Sequence, residues 1–266
     1  MDSSTIIKLL MKLREKNPLV FNITNVVVTN FTANGLLALG ASPVMAYSSK
    51  EVADMARIAN ALVLNIGTLD DSVVESMLIA GKAANERHTP VILDPVGAGA
   101  TAYRTETSRM LAKQLKISVV RGNAAEVANL IGEQRSIKGV DAGEAGDNAA
   151  GLTGRAAQEL GCVVAVTGKD DYVSDGTTTY KISGGDSILT KVTGTGCLLT
   201  AVIGAFTAVE SNALVASAAA LAYYGAAAQL AAQRAAGPGS FQVEFLDELA
   251  RVPQAVFEQS TIEQIN

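Results

Sequence analysis

The chain is poor in three residue types: it contains no tryptophan, one histidine and two cysteines in 266 residues. A single histidine, His88, argues against a Ser-His-Asp triad and against a His-rich metal centre. Two cysteines, Cys162 and Cys197, do not make a disulfide framework and cannot form an all-cysteine zinc site. We therefore expect free thiols, as is usual for a protein of the cytoplasm.

The chain also has no excess of basic residues and no targeting segment. Its 21 basic and 26 acidic side chains give a net charge of −5, which argues against nucleic acid or an anionic membrane as a partner. Charged residues interrupt the short apolar stretch near the start, so we do not expect it to be a signal peptide. The longest apolar region, 198–232, is interrupted at 210–212, after about twelve residues, which is short of the roughly 20 that span a bilayer.

The remaining composition is that of a folded chain, with 48% hydrophobic and 18% charged residues, and it excludes a disordered one. At about 150 residues per domain the length allows one or two domains. We find no internal repeat, no long linker and no shift in composition along the chain. We therefore predict a single domain over residues 1–266.

Short apolar runs alternate with longer helical patterns along most of the chain. The predicted strands are 19–23, 42–46, 61–65, 91–93, 118–120 and 163–167, and the predicted helices are 26–39, 49–60, 70–87, 105–114, 124–131 and 151–160. This alternation predicts an α/β fold, with a mostly parallel central sheet and helices on both faces. Asp175-Gly176 predicts an antiparallel hairpin, and Gly132–Gly154 is expected to be a mobile surface segment containing a helix.

Polar or turn residues follow several of the predicted strands. These endings are 22–25, 65–68, 94–95, 121–123 and 167–170. In parallel sheets ligands bind beyond the carboxyl ends of the strands. We therefore expect these endings to line one shared crevice.

The segment Thr193-Gly194-Thr195-Gly196-Cys197 stands directly before an apolar helix. Glycines let the backbone approach a ligand closely, and the helix start presents unpaired N–H groups with about half a positive charge. Together they predict an anion site suited to a transferring phosphoryl group. The alternative is a glycine-rich connection without a ligand. The segment is neither a Walker A motif nor a dinucleotide fingerprint.

Five motifs, taken in order along the chain, resemble those of one enzyme family. They are Asn22-Ile23-Thr24-Asn25, Asp94-Pro95-Val96-Gly97-Ala98-Gly99, Arg121-Gly122-Asn123-Ala124-Ala125-Glu126, Val166-Thr167-Gly168-Lys169-Asp170 and Gly194-Thr195-Gly196-Cys197. The chain resembles the hydroxyethylthiazole kinase family of thiamine salvage, which has the ribokinase-like fold. The resemblance extends from about Asn17 to Glu258.

The resemblance implies a three-layer ribokinase-like sandwich and transfer of the ATP γ-phosphate to the hydroxyl of 4-methyl-5-(2-hydroxyethyl)thiazole. It also implies Mg²⁺ as a cofactor and a homotrimer with active sites at the subunit interfaces. The residues it implies for thiazole binding are Asn25, Val27, Met45, Gly67 and Gly194. Those it implies for ATP are Arg121, Thr167 and Gly168, those for the metal are Asp94 and Glu126, and those for catalysis are Cys197, Gly194 and Gly196.

Each of these roles has a simpler structural alternative. Glu126 suits a capping box with Asn123 at a helix start, and Arg121 suits a surface ion pair. Asp94 suits a turn before a proline, whereas Val27 and Met45 suit an ordinary core. The charged loop 169–171 is expected to be solvated, and Tyr223-Tyr224 is expected to pack in the interior.

Cys197 occupies the first helical turn, where other ribokinase-like enzymes usually carry an aspartate base. The helix dipole is expected to favour its thiolate. Cys197 then either accepts the proton of the substrate hydroxyl or only orients that hydroxyl, because a loose phosphoryl-transfer transition state does not require a strong base. The sequence leaves both roles open.

Three competing functions follow from the same sequence. The first is a kinase of this fold that acts on a pyrimidine alcohol, against which the pocket residues Asn25, Val27 and Met45 argue. The second is a non-catalytic nucleotide-binding regulator, against which the presence of Asp94, Glu126 and the glycine loop argues. The third is a dinucleotide-dependent oxidoreductase, which requires GxGxxG after the first strand, where this chain has Asn22-Ile23-Thr24-Asn25.

Overall fold

The computed structural model describes residues 1–133, 145–251 and 261–265. Of the expected mobile segment Gly132–Gly154, residues 134–144 lie outside the described residues, and 145–154 belong to a helix. The strands are β1 Leu19–Ile23, β2 Ser42–Met45, β3 Ala61–Asn65, β4 Val91–Asp94, β5 Val119–Asn123, β6 Val163–Thr167, β7 Asp170–Ser174, β8 Thr179–Ser183 and β9 Thr261–Gln264. The helices are α1 Ser3–Lys16, α2 Thr29–Leu39, α3 Val52–Ile58, α4 Asp71–Glu86, α5 Ala102–Gln114, α6 Ala124–Leu130, α7 Ala145–Leu160, α8 Thr195–Thr207, α9 Ala213–Arg234 and α10 Pro238–Ala250, with a 3-10 helix at Ser187–Lys191.

The described strands form one sheet in the order β2-β1-β3-β4-β5-β6-β7-β8-β9. Strands β1 to β6 pair in parallel, and β6 to β9 pair antiparallel. The predicted mostly parallel sheet is confirmed, as is the hairpin, which joins β7 and β8. The prediction of a charged loop at 169–171 is partly wrong, because β7 already begins at Asp170.

Alternate residues of the strands face two separate cores. Val20 of β1 packs in one core with apolar residues of α1, α2, α8, α9 and α10. Its neighbour Phe21 packs in the other core, with α3, α4, α6 and α7. Near-continuous apolar strands are what a parallel sheet covered on both faces requires. The fold is therefore the three-layer α/β sandwich that the sequence predicts.

Two of the most apolar helices are interior elements. Nearly all of α8 is buried, and α9 lies beside it. Among the described helices, α9 alone is long and apolar enough to cross a membrane, and 72% of its most apolar stretch is buried in the protein. The expectation that only short apolar segments remain on either side of 210–212 is therefore wrong, because α9 has 22 residues. Contact with the rest of the protein accounts for its composition.

Helix α2 begins three residues later than the predicted helix 26–39, at Thr29. The residues before it form a turn, which leaves Val26 71% exposed and Val27 67% exposed. The proposal that Val27 is an ordinary core residue is therefore excluded. This exposed pair directly follows Asn25 at the carboxyl edge of the sheet.

Helix α8 packs closely on the sheet because it carries a glycine at the contact. A Cβ at Gly204 would lie 2.9 Å from Cγ2 of Val63, and the side chains of Val20 and Ile92 are also within 4 Å. Val63 is β-branched and has few alternative rotamers, so its side chain cannot easily move away from an added Cβ. Gly154 in α7 is the contrasting case, because no atom lies within 4 Å of its added Cβ.

We predict opposite effects for alanine at these two helical glycines. Gly204→Ala overpacks the interface between α8 and the sheet and lowers the free energy of unfolding by about 1–2 kcal/mol, in spite of the better helix propensity of alanine. Gly154→Ala gains that propensity without a clash and raises the free energy of unfolding by about 0.5–1 kcal/mol. Urea unfolding of the three proteins measures both changes, and a stabilised Gly204→Ala would show that the contact is loose.

Candidate active site

The carboxyl ends of the parallel strands are joined by a chain of side-chain hydrogen bonds. Asn25, which follows β1, donates from Nδ2 to Oδ1 of Asn65 at 2.9 Å. Asn65 ends β3 and donates from its own Nδ2 to Oδ2 of Asp94 at 3.0 Å. Asp94 in turn ends β4. These three strand ends therefore meet as predicted, and all three side chains are buried.

The start of α8 lies over this edge of the sheet. Residues 193–196 form what we call the anion loop. Within it, Gly194 has φ = +87° and precedes α8 as a cap without a side chain. A Cβ at Gly194 would lie 2.7 Å from Cγ1 of Val28, so both its conformation and its surroundings require glycine. No side chain caps the first N–H groups of α8, and these groups are available to an anion.

Arg121 of β5 lies against the anion loop. A Cβ at Gly196 would be 2.7 Å from Nη1 of Arg121, so Gly196 makes room for the guanidinium. Arg121 donates from Nη2 to Oγ1 of Thr167 at 2.5 Å, and its Nη1 is 3.9 Å from Oδ2 of Asp94. The side chain is only 13% exposed. The alternative of a surface ion pair is therefore wrong, and Arg121 supplies positive charge inside the site.

Asp94 is 1% exposed and lies beneath the helix start. Its Oδ2 accepts a hydrogen bond from Oγ1 of Thr200 in α8 at 2.8 Å, in addition to the bond from Asn65. Its Oδ1 is buried and has no hydrogen-bond partner in the described part of the chain. Burial raises the pKa of Asp94 to about 7, with the charge of Glu126 adding to the rise and that of Arg121 opposing it. Asp94 is thus a buried carboxylate with one free oxygen rather than a simple turn residue.

Glu126 forms a capping box with Asn123, which is the structural alternative to its predicted role as a metal ligand. Its Oε2 accepts from the backbone N–H of Asn123 at 2.9 Å, while Oδ1 of Asn123 accepts from the N–H of Glu126. Its Oε1 accepts from the N–H of Gly97 at 2.8 Å. Both carboxylate oxygens therefore hold backbone at the carboxyl edge of the sheet. The metal role of Glu126 stays a prediction.

Cys197 is a neutral thiol in this environment. Its Sγ accepts a hydrogen bond from Nδ2 of Asn25 at 3.5 Å. Burial raises the pKa of the Cys197 thiol to about 11, and the charge of Asp94 adds to this rise. The expectation that the helix dipole favours a thiolate is wrong, because desolvation and a nearby carboxylate outweigh the helix start. The position of Cys197 at the site agrees with the sequence.

A cavity of about 810 Å³ opens beside Arg121 and the anion loop. The three residues expected to bind ATP, Arg121, Thr167 and Gly168, all line it. Its volume is in the range of pockets for ligands of nucleotide size. Thr195 and Gly196 form the wall next to α8. This cavity places the predicted ATP residues on one surface with the predicted anion site.

Sequence reasoning missed several residues of this cavity. The missed lining residues are Lys169, Asp171, Gly184, Gly185, Asp186, Ser187, Leu189, Thr190, Leu199, Tyr224, Gly225 and Gln229. Asp171 is not in a solvated loop, since its Oδ1 accepts from the N–H of Gly168 at 3.0 Å, and burial raises its pKa to about 6. Tyr224 does pack internally, with its hydroxyl donating to the carbonyl of Thr195 at 2.5 Å.

The residues expected to bind the thiazole are only partly brought together. Gly67 adjoins Asn25, because a Cβ at Gly67 would lie 2.6 Å from Nδ2 of Asn25. Val27 lines a second cavity of about 340 Å³, which it shares with Thr193 and Lys191. Met45 is half-buried at the end of β2 and pairs in register with Asn22. Because Met45 is only half-buried, the alternative that it is an ordinary core residue is wrong for this position too.

The anion loop lies between the two cavities: Thr193 lines the smaller, whereas Thr195 and Gly196 line the larger. A positively charged helix start with a space for a ligand on each side suits the transfer of an anionic group from one ligand to another. The fold and the site together define an α/β phosphotransferase of the ribokinase-like class.

Comparison with known proteins agrees with this class. A model of the hydroxyethylthiazole kinase family matches residues 10–255. A solved hydroxyethylthiazole kinase protein from Pyrococcus horikoshii OT3 is 44% identical, with a TM-score of 0.92 over 99% of this chain and 100% of that one. A pyridoxal kinase from Staphylococcus aureus in complex with ADP shares the fold at 18% identity, with a TM-score of 0.60 over 80% of this chain and 88% of that one.

The chain belongs to the hydroxyethylthiazole kinase family. It is accordingly a kinase, and its reaction is the phosphorylation of the hydroxyl group of hydroxyethylthiazole in thiamine salvage. The resemblance in the five sequence motifs is confirmed.

We predict that Asp94 makes the protein less stable as the pH rises. Its pKa is about 7 in the folded protein and near 3.8 in the unfolded chain, so the folded state binds more protons between these values and stability falls as pH increases through them. Asp94→Asn removes this contribution and gains at least about 1 kcal/mol over the native protein near pH 8, but not near pH 4. Urea unfolding over this pH range measures the difference, and parallel curves would contradict it.

Proposed function

We propose that the larger cavity binds ATP, with the γ-phosphate at the anion loop. The observation that carries this proposal is the position of that loop between the two cavities. The unpaired N–H groups at the start of α8 and the guanidinium of Arg121 supply the positive charge that a triphosphate requires. Gly196 allows both to approach the same phosphate, because it has no side chain between them.

The acceptor, 4-methyl-5-(2-hydroxyethyl)thiazole, lies on the other side of the loop in this proposal. Asn25 donates to Sγ of Cys197 and adjoins Gly67, and we propose that it holds the polar edge of the thiazole together with Gly194. Val27, which lines the smaller cavity, and Met45 are proposed to supply apolar surface. Since the Cys197 thiol is neutral at physiological pH, its role is to orient the substrate hydroxyl by hydrogen bonding rather than to remove its proton. A loose transition state makes orientation and charge stabilisation sufficient.

The donor set fits Mg²⁺ in the company of phosphates. Within 1–133, 145–251 and 261–265, no group of three or more Cys, His, Asp or Glu side chains is placed to hold a metal ion. Mg²⁺ commonly uses one or two carboxylates together with phosphate oxygens and water. Asp94 offers a buried oxygen without a partner among the described residues. Glu126 is the second predicted carboxylate, and its two oxygens also accept from backbone N–H groups. When bound, the ion neutralises charge on the phosphates.

We also propose that the protein is a homotrimer whose subunits meet at the acceptor site. Val26 and Val27 are among the most exposed large apolar residues, at 71% and 67%, and they adjoin Asn25. Such exposure is typical of a surface that another subunit covers. Sedimentation equilibrium of the native protein is expected to give three times the chain mass of 27.4 kDa, whereas a monomer would contradict this proposal.

A cytoplasmic location stays a prediction from the sequence. Cys162 and Cys197 are both free thiols in the described part of the chain. Free thiols are usual in reducing compartments, so the structure is consistent with the prediction without testing it.

The assay that tests this function is ADP release measured with three acceptors: the thiazole alcohol, a pyrimidine alcohol and none. We expect ADP release to depend on the thiazole alcohol and to exceed that with the pyrimidine alcohol by at least about tenfold, a difference of about 1.4 kcal/mol in transition-state binding. Equal release without an acceptor would contradict the kinase assignment. Preference for the pyrimidine alcohol would reassign the substrate.

Cys197→Ala in the same assay separates orientation from binding. We expect the variant to lower kcat while the Kd for the thiazole alcohol, measured by calorimetry, stays within about twofold. Cys162→Ala is the matched control, because this second half-buried thiol directly precedes β6, at the edge of the sheet opposite to the start of α8. Unchanged kcat in Cys197→Ala would exclude a role for the thiol in the reaction.

A further inference from the structure

The larger cavity has a second end, remote from the anion loop. Tyr224 of α9 marks the near end, because its hydroxyl donates to the carbonyl of Thr195 at the start of α8. Gln229 lines the cavity five residues further along the same helix, about 7.5 Å along the helix axis at 1.5 Å per residue. A nucleotide whose phosphates lie at the anion loop therefore extends its base towards Gln229.

Glycine backbone and apolar side chains form part of the wall of this cavity. Gly184, Gly185 and Gly225 line it, and a Cβ at Gly225 would lie 3.1 Å from the backbone nitrogen of Gly185. The loop after β8 thus rests directly on α9 and leaves no side chain in the space. Leu189 and Leu199 supply apolar surface. Such a wall suits a flat aromatic ring with few polar atoms to satisfy.

Gln229 is the polar exception in an apolar stretch of α9. The preceding residues Ala226, Ala227 and Ala228 are buried in the interior. Oε1 of Gln229 is also buried, and it has no hydrogen-bond partner among residues 1–133, 145–251 and 261–265. A buried acceptor without a donor is destabilising, so it requires an explanation. A ligand that brings an N–H group into the cavity provides one.

We propose that Gln229 selects the nucleobase of the phosphate donor and favours adenine. Oε1 accepts from the exocyclic amino group at C6, while Nε2 of the same amide donates to N7, which is the pairing that glutamine makes with adenine elsewhere. A base with a carbonyl in place of the amino group, as in inosine triphosphate, sets two acceptors against each other. This inference rests on the proposed occupation of the larger cavity by ATP.

The test compares ATP with inosine triphosphate as phosphate donor to the thiazole alcohol. Gln229→Met keeps the length of the side chain but removes both hydrogen-bonding groups, and we expect it to reduce the ratio of kcat/KM for ATP over inosine triphosphate by about tenfold. The change arises in the KM for the nucleotide, while kcat and the KM for the thiazole alcohol stay unchanged. Gln229→Glu retains the acceptor and is expected to retain most of the preference for ATP.

Gln233→Met is the matched control, because Gln233 is exposed one turn further along α9 and lines neither cavity. It is expected to leave the nucleotide preference unchanged. An unchanged ratio in Gln229→Met, with active native enzyme, would overturn this inference alone. Absence of acceptor-dependent phosphorylation by the native enzyme would instead overturn the proposed function. If Gln229→Met does not fold, loss of preference in Gln229→Ala carries the same test.

Discussion

The site depends on one buried carboxylate that links the sheet to the helix above it. Oδ2 of Asp94, at the end of β4, accepts hydrogen bonds from Asn65 of β3 and Thr200 of α8. Its charge is also opposite to that of Arg121 in β5. These contacts define the position of the start of α8 relative to the strand ends. Burial of a charge is costly unless it is compensated. We therefore infer that this carboxylate serves the function of the protein rather than its stability.

Opposite charges lie close to one another in the site. Arg121 and the start of α8 are positive, whereas Asp94 and Glu126 are negative, and the desolvation that raises the pKa of Asp94 also raises that of Cys197. A low-dielectric site of this kind strengthens interactions with charge that develops in a reaction. The same desolvation keeps the thiol protonated, and for this reason electrostatic stabilisation, rather than a sulfur base, is the basis of the proposed chemistry.

Glycine determines how closely the parts of the site approach one another. Gly194 turns the chain into α8, Gly196 admits the guanidinium of Arg121, and Gly225 allows the loop after β8 to rest on α9. Each of these contacts joins segments far apart in sequence. The anion loop consequently has a cavity on each side, and the same backbone faces both ligands in the proposed reaction.

The sequence by itself determined the layered α/β architecture, because apolar periodicity depends only on neighbouring residues, and it determined the family through five local motifs. Through the resemblance to the family it also predicted Asn25, Asp94, Arg121 and Cys197 as site residues, and the structure brings these four side chains together. Only the tertiary structure decided the protonation of Cys197, the capping contacts of Glu126, the exposure of Val27 and the presence of Gln229 in the cavity. Desolvation and side-chain contact depend on distant segments, and no local pattern records them.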